Sequence, residues 1–249
     1  MIRLVSNLAS DTTRSRIEFD YQFATDGTPI PNASSSVPAA LLDTFGVASF
    51  HDIAGVNLDG DRVTLSDISA MASLHNLRRL DLEGNRLDPE SLDTISVLTK
   101  LERLDLQDTE ITDDQLECVA NLPHLRTFMV SGDQVTDSAF RHLQIATELR
   151  SLSVRFTSVN GSGLTHLACT DSLRKLDLHQ SPIVDNAIPT ILSFRNLENL
   201  DLYGAILTDD TLMRVTELEN LTSFRPPKSA SREVLKRLRN EMPNCEIKR

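Results

Sequence analysis

The sequence predicts an α/β solenoid, in which short strands and short helices alternate through a stack of repeated units. Apolar residues recur every 24 positions between residues 51 and 218, which makes seven full units. The first half of each unit alternates apolar and polar residues, as a strand with one buried face does. The second half places apolar residues three positions apart, as one face of a short helix does.

The apolar positions form seven columns that run through the units. The first column consists of Ile53, Leu77, Leu101, Leu125, Leu149, Leu173, Leu197 and Leu221. The column three residues later consists of Val56, Leu80, Leu104, Phe128, Leu152, Leu176, Leu200 and Phe224. Across the seven full units, Thr170 alone interrupts the columns. Since one unit cannot bury its apolar face alone, we expect the units to stack, with a concave parallel sheet and convex helices.

One unit has a sequence that resembles a known family. Residues 101–122 read LERLDLQDTEITDDQLECVANL, which is similar to leucine-rich repeats of the 24-residue bacterial type (L-x-x-L-x-L-x-x-T-x-I-T-D). The resemblance implies a leucine-rich-repeat horseshoe that is capped at both ends. The family often has an asparagine ladder at one turn position. At that position this chain has Asp61, Asn85, Thr109, Asp133, Thr157, Ser181 and Ala205. We expect their hydroxyls and carboxylates to satisfy backbone donors of the turn.

The junction between strand and helix carries residues that begin helices. Asp88 precedes a proline, and Thr112 with Gln115 matches a capping box. Similar capping is expected from Thr64, Thr136, Asp185 and Thr208. The repeat that has Gly161 and Gly163 at its helix start is expected to be the least stable, because glycine weakens helices.

Residues 1–50 lack the repeat and are interpreted as an N-terminal cap. The pattern predicts a strand over 16–23, a loop over 26–38 and a short helix over 38–46. This order is similar to the N-terminal cap of the same bacterial family. The Pro-x-x-Leu-Leu-x-x-Phe string at 38–45 also resembles the opening of an F-box, so an alternative function is a substrate-recognition adaptor of a ubiquitin ligase.

Residues 219–249 are interpreted as the C-terminal cap that follows repeats 51–218. Pro226 is expected to end the pairing of a last strand, and to suit a sheet edge that must not accept another chain. Ser231 is expected to begin a helix. The apolar face of that helix consists of Val234, Leu235, Leu238 and Met242.

Composition restricts the function classes. There are 36 acidic and 25 basic residues, a net charge of -11, so a nucleic-acid or anionic-membrane binder is not expected. The three cysteines are too few and too scattered for a disulfide scaffold, and the first residues become polar too soon for a signal peptide. We therefore expect a cytoplasmic protein, and we expect it to be a monomer. No catalytic motif is present, so we expect neither enzyme activity nor a cofactor. Cys118, His142 and His166 share a helix column, where we expect solvated side chains rather than a metal site.

The candidate site is on the strand positions that face away from the core. We expect a partner to contact Met129, Arg155, Phe156, His179 and Tyr203, because Met, aromatic residues and Arg are enriched in binding hot spots. Charge steering is expected from Arg79, Asp81, Arg103 and Asp105. The alternative is that the Arg155, His179 and Tyr203 side chains merely stack along the sheet. The favoured function is a non-catalytic scaffold that binds a protein partner.

Overall fold

The computed structural model describes residues 16–17, 20–23, 29–32, 55–57, 71–72, 74, 76–132 and 134–248. The strands are β1 (Arg16–Ile17), β2 (Asp20–Phe23), β3 (Pro29–Asn32), β4 (Gly55–Asn57), β5 (Arg79–Asp81), β6 (Arg103–Leu106), β7 (Thr127–Ser131), β8 (Ser151–Arg155), β9 (Lys175–Asp177), β10 (Asn199–Asp201), β11 (Ser223–Arg225) and β12 (Glu246–Ile247). In this described part, ten strands form one sheet in the order β1-β4-β5-β6-β7-β8-β9-β10-β11-β12. The parallel strands from β4 to β11 confirm the predicted α/β solenoid.

The helices on the other side of the repeats are short, as predicted, and several are 3₁₀ helices. The α-helices are α1 (Pro89–Ser96), α2 (Ile188–Ser193), α3 (Asp209–Met213) and α4 (Arg232–Glu241). The 3₁₀ helices are Gln115–Val119, Asp137–Leu143, Ser162–His166, Asp185–Ala187 and Arg214–Glu217. A 3₁₀ helix has 3.0 residues per turn, so apolar residues three positions apart lie on one face. The spacing of three in the sequence therefore suits this geometry.

The core lies between the sheet and the helices and is mainly aliphatic. The apolar columns are in register from strand to strand, for example Leu80 beside Leu104 and Leu104 beside Phe128. Thr170, which interrupts the columns, is only partly buried. The preceding Cys169 is 1% exposed and fills the core there.

The described residues of the polar turn column are buried, and their hydrogen bonding differs in part from the expectation. Asp61 and Asp133 lie outside the described residues. The side chain of Asn85 donates to the Leu82 carbonyl oxygen at 3.0 Å, and the Thr109 hydroxyl donates to the Leu106 carbonyl oxygen at 2.7 Å. Ser181 donates to the Val154 carbonyl oxygen at 2.9 Å. The expected role toward backbone donors is therefore wrong for Thr109 and Ser181, but the Thr157 hydroxyl does accept from the Val159 N–H, at 3.4 Å. A short hydroxyl or amide can donate as well as accept, and in these turns carbonyl oxygens are within its reach.

The helix starts agree with the sequence in most of the described repeats, and Thr64 lies outside the described residues. Asp88 accepts from the Ser91 N–H at 2.8 Å, and Thr136 and Thr208 accept from backbone N–H groups of their own helices. At the capping box, the Gln115 side chain accepts from the Thr112 N–H at 3.0 Å. The Thr112 hydroxyl also donates to Gln115 instead of capping the helix.

Asp185 does not cap its own helix, which corrects the expectation. Its carboxylate accepts from the Thr208 N–H of the following repeat at 2.9 Å. The equivalent residues of other repeats do the same, and we call this set the inter-repeat aspartates: Asp113, Asp137, Asp185 and Asp209. A carboxylate that accepts from the next repeat satisfies a helix-start donor that has no partner within its own helix.

Asp137 makes the most such bonds, and the two glycines of the next repeat explain why. Its carboxylate accepts from the N–H groups of Asn160 at 2.8 Å, Gly161 at 3.0 Å and Gly163 at 2.7 Å. A Cβ atom at position 163 would lie 2.1 Å from the Asp137 carbonyl oxygen, so only glycine allows this approach. Gly161 has φ +98°, in the left-handed region. The lower stability that we expect for this repeat remains a prediction.

At the N-terminal end, β1 pairs antiparallel with β4 and covers that edge of the described sheet. The predicted strand over 16–23 is present as β1 and β2. The predicted loop over 26–38 is wrong at Pro29–Asn32, since β3 pairs with β2. Two prolines are accommodated because a strand of a two-stranded ribbon needs donors on one side only. The predicted helix over 38–46 and the F-box-like string at 38–45 lie outside the described residues.

At the C-terminal end, α4 begins after Ser231, whose hydroxyl accepts from the Val234 N–H at 3.2 Å. The expected apolar face of α4 is buried. The sheet does not end at β11 as expected, because β12 pairs parallel with it. Pro226 lies just beyond the paired residues of β11, where its missing N–H costs no ladder bond. Among the described residues, no helix is both long enough and apolar enough for a membrane crossing.

Candidate functional site

Three ring side chains stack across neighbouring repeats just beyond the ends of the parallel strands, and we call Phe156, His179 and Tyr203 the aromatic ladder. His179 and Tyr203 each follow the last residue of their strand by two positions, and Phe156 follows β8 directly. The His179 and Tyr203 rings are 5.1 Å apart and nearly parallel, at 10°. The Phe156 ring meets the His179 ring edge-on at 5.5 Å. Such pairs add about 0.5–1.5 kcal/mol beyond burial, so the ladder fixes these rings.

An arginine lies at each end of the aromatic ladder. The Arg155 guanidinium is 5.5 Å from the Phe156 ring centre, and that of Arg225 is 5.9 Å from the Tyr203 ring centre. Both distances are within the range of cation–π contacts. Sequence reasoning missed Arg225, although its position is visible in the sequence, 24 residues after Asp201 in the strand column that Asp177 and Asp201 share.

Two aspartates hold the arginines and the turns of the ladder. Asp177 accepts from the His179 N–H at 3.1 Å, and Asp201 accepts from the Tyr203 N–H at 3.0 Å. Asp177 also pairs with Arg155 at 3.7 Å. Asp201 lies 3.1 Å from an Arg225 nitrogen and 3.4 Å from His179 Nδ1. The aspartates therefore orient the ladder and neutralise part of its positive charge.

Phe156 is both strained and exposed. Its φ is +54°, in the left-handed region, and 50% of its surface is exposed. The equivalent positions of other repeats have Gly84 and Gly132, at φ +74° and +122°, but also Asp108 and Gln180, at φ +54° and +58°. A left-handed conformation costs about 1–2 kcal/mol for a residue with a Cβ atom. The left-handed backbone therefore belongs to this turn in several repeats, and what distinguishes Phe156 is its large, half-exposed apolar ring.

The predicted site residues separate into two groups. Arg155, Phe156, His179 and Tyr203 come together, and the expected stacking along the sheet is observed for His179 and Tyr203. Met129 does not join them but lies on β7, where its sulfur accepts from Arg103 Nη2 at 3.8 Å. Met129 is in register with Asp105 of β6 on one side and Ser153 of β8 on the other. It therefore belongs with the charged N-terminal group.

The N-terminal group is a cluster of charges on β5 and β6. Arg79 is in register with Arg103, and Asp81 with Asp105. Asp105 is 2% exposed, and its burial raises the pKa of its carboxyl, although the bond from the Gln107 N–H opposes this effect. Arg103 lies 3.4 Å from Asp105 and compensates part of its charge.

Carboxylate oxygens of Asp81, Glu83 and Asp105 lie within 4.8 Å of one another, a set that is chemically able to hold a cation. Asp81 already accepts from the Asn57 side chain at 2.9 Å and from the Glu83 N–H at 3.2 Å. Asp105 accepts from both the backbone and the side chain of Gln107 at 3.2 Å. These bonds account for the aspartates as turn-capping residues.

Cys118, His142 and His166 of the helix column differ in burial. Cys118 is buried, which corrects the expected solvated position, because the tight 3₁₀ turn packs it beside Leu116 and Val119. His142 is partly buried and His166 is exposed. Burial raises the pKa of the Cys118 thiol to about 12.

Comparison with known proteins finds leucine-rich repeats in one part of the chain. The family model described as Leucine Rich repeat matches residues 73–96 and 97–120. Among curated proteins, none matches the chain. A solved structure titled "Crystal structure of TLR13-ssRNA13 complex" is similar over 63% of this chain, with 24% identity and a TM-score of 0.49. This chain spans only 23% of that chain.

Leucine-rich-repeat domains generally mediate protein–protein interactions and are typically non-enzymatic. The family match is in register with the 24-residue units, and the parallel strands continue the same pattern through β11. Residues 73–120 therefore match leucine-rich repeats, and the parallel strands that continue on both sides of them form an α/β solenoid.

Proposed function

We propose that this chain is a non-catalytic protein-interaction module whose partner binds the aromatic ladder and the two arginines beside it. The observation that carries the proposal is Phe156, whose ring is half-exposed at a turn position where the neighbouring repeats have Gly132 and Gln180. An exposed ring in a strained turn adds little to folding. It does supply apolar area to a partner.

The geometry of the ladder supports tight binding for its size. The His179 ring is held between Phe156 and Tyr203, and Arg155 and Arg225 are held by aspartates. Side chains that are already ordered lose little conformational entropy when a partner docks. Aromatic residues and arginines are also the residue types that dominate binding hot spots.

Several finer assignments form part of the same proposal. The 24-residue spacing supports the bacterial type of leucine-rich repeat, and the three free cysteine thiols support a cytoplasmic location. We also propose that the protein is a monomer when unbound, without enzyme activity or cofactor.

Site-specific photo-cross-linking tests the proposal. A photoreactive phenylalanine analogue replaces Phe156 in one variant and Ile145, an exposed residue of the helix side, in a matched control. We expect one protein from the native cell to cross-link at position 156 and not at 145. Equal cross-linking at both positions, or cross-linking at 145 alone, would refute the assignment of the binding surface.

A further inference from the structure

We propose that the partner presents an acidic, extended peptide segment to the aromatic ladder, with an apolar side chain that packs on Phe156. This inference rests on the proposed function and specifies the chemistry of its partner. It is carried by the distribution of charge over the concave strand positions and the turns that follow them.

Cations outnumber anions around the aromatic ladder. The anions are Asp177 and Asp201, and the cations are Arg155, Lys175, Arg225 and Lys228. The Lys228 N–H bonds to the Tyr203 carbonyl oxygen at 3.1 Å, which places Lys228 beside the ladder. The surplus is local, because the whole chain has a net charge of -11.

The two aspartates cannot neutralise the lysines. Each is engaged by a backbone N–H and by an arginine. Lys175 and Lys228 are exposed, and neither has an ion pair among the residues that the structure describes. Lys175 is on the concave face, since Leu176 points into the core and strand side chains alternate. Lys175 lies beside Ser151, five residues before Phe156 along the sheet, and Lys228 lies beside Tyr203 at the other end of the ladder. An extended segment of several residues can therefore reach both ammonium groups and the half-exposed ring.

The opposite end of the concave face has the opposite sign. The carboxylates of Asp81, Glu83 and Asp105 outnumber Arg79 and Arg103 on β5 and β6. An acidic segment is repelled from β5 and β6 and attracted to β9, so the charge pattern favours binding at the C-terminal half of the sheet. An apolar residue within the segment packs on Phe156, and its carboxylates pair with Lys175 and Lys228.

Selection from a displayed library of random dodecapeptides on the purified full chain tests this inference. The baits are the wild-type chain, Phe156→Gly, the double variant Lys175→Glu with Lys228→Glu, and the control Lys236→Glu. Lys236 is an exposed cation of α4, far along the chain from the ladder. Selected peptides are then synthesised and their affinities for the four chains are measured at about 50 mM and 500 mM salt, where screening differs strongly.

We expect peptides with more acidic than basic residues around an apolar residue. The double variant should bind them about tenfold more weakly at low salt, as expected for the reversal of two exposed charges. High salt should reduce the difference, and Lys236→Glu should bind like the wild type. The inference alone would be overturned by peptides that need Phe156 but have no surplus of acidic residues, or that bind the double variant as tightly as the wild type. The proposed function would stand in that case. Failure to select any peptide that needs Phe156 would overturn the proposed function as well.

Discussion

Asp137→Ala tests whether the inter-repeat aspartates hold neighbouring repeats together. The carboxylate accepts three backbone N–H bonds from the next repeat, and those of Gly161 and Gly163 are partly buried. A hydrogen bond to a charged group contributes about 1.5–3 kcal/mol when protected from water. With two protected bonds at the low end of that range, we expect Asp137→Ala to reduce the free energy of unfolding by about 3 kcal/mol. The third bond is exposed and adds little.

The matched control is Asp185→Ala, which removes one exposed bond, to the Thr208 N–H. We expect it to reduce the free energy of unfolding by about 0.5 kcal/mol. Asp137→Asn should be intermediate, because an amide oxygen can still accept from the two glycines. Urea titration monitored by circular dichroism measures all three variants, and Asp137→Ala should lower the urea midpoint by about 1 M.

Hydrogen exchange resolves where the loss occurs. The amides of Gly161 and Gly163 should lose protection in Asp137→Ala more than the amides of β5 and β6 do, since repeat stability is largely a sum of local terms. If Asp137→Ala unfolds at the same urea concentration as Asp185→Ala, the reasoning about inter-repeat bonds is refuted.

Three further predictions follow from the same structure. Phe156→Gly should unfold within about 1 kcal/mol of the wild type in urea, because relief of left-handed strain offsets the lost ring contacts; a loss of about 3 kcal/mol, as for a buried phenylalanine, would contradict this. Burial raises the pKa of Asp105 in the folded state, so the ionised carboxylate disfavours folding above that pKa. Asp105→Asn should therefore be more stable than the wild type at pH 7, and this advantage should shrink as the pH falls toward 3.8. A difference in stability that stays constant with pH would contradict this prediction. Burial also raises the thiol pKa of Cys118 to about 12 and of Cys169 to about 11, so at pH 8 Cys245 should react with a thiol reagent much faster than these two, and equal rates in the native chain would contradict their burial.

The solenoid was predictable because every unit of the stack meets the same physical requirement. Each unit must bury one strand face and one helix face against its neighbours, so Leu80, Leu104 and Leu152 recur at fixed intervals. Helix caps such as Asp88 were predictable for a similar reason, since their partner lies within four residues. Bonds between repeats were harder to predict. The sequence offers Asp185 backbone N–H donors both in its own helix and at the start of the next one, and it does not distinguish between them.

The candidate site was predictable only in part. The 24-residue period placed Arg155, His179 and Tyr203 on one edge, but ring geometry decides that Phe156 extends the stack. The period also placed Met129 on the concave face, without showing that it packs against Arg103. The strain at Phe156 could not be predicted from its residue type, because it depends on the backbone of that turn. Gly84 and Gly132 at equivalent positions indicated such a turn, although Asp108 and Gln180 have the same conformation there.

The most direct test of the account is the dissociation constant of the cross-linked partner for the wild-type chain and for Phe156→Gly. Loss of a hot-spot aromatic residue costs about 2 kcal/mol or more, so we expect binding to weaken by at least about thirtyfold while the urea midpoint stays nearly unchanged. Equal affinity of the two chains for the partner would contradict the claim that this ring is the anchor of the binding surface.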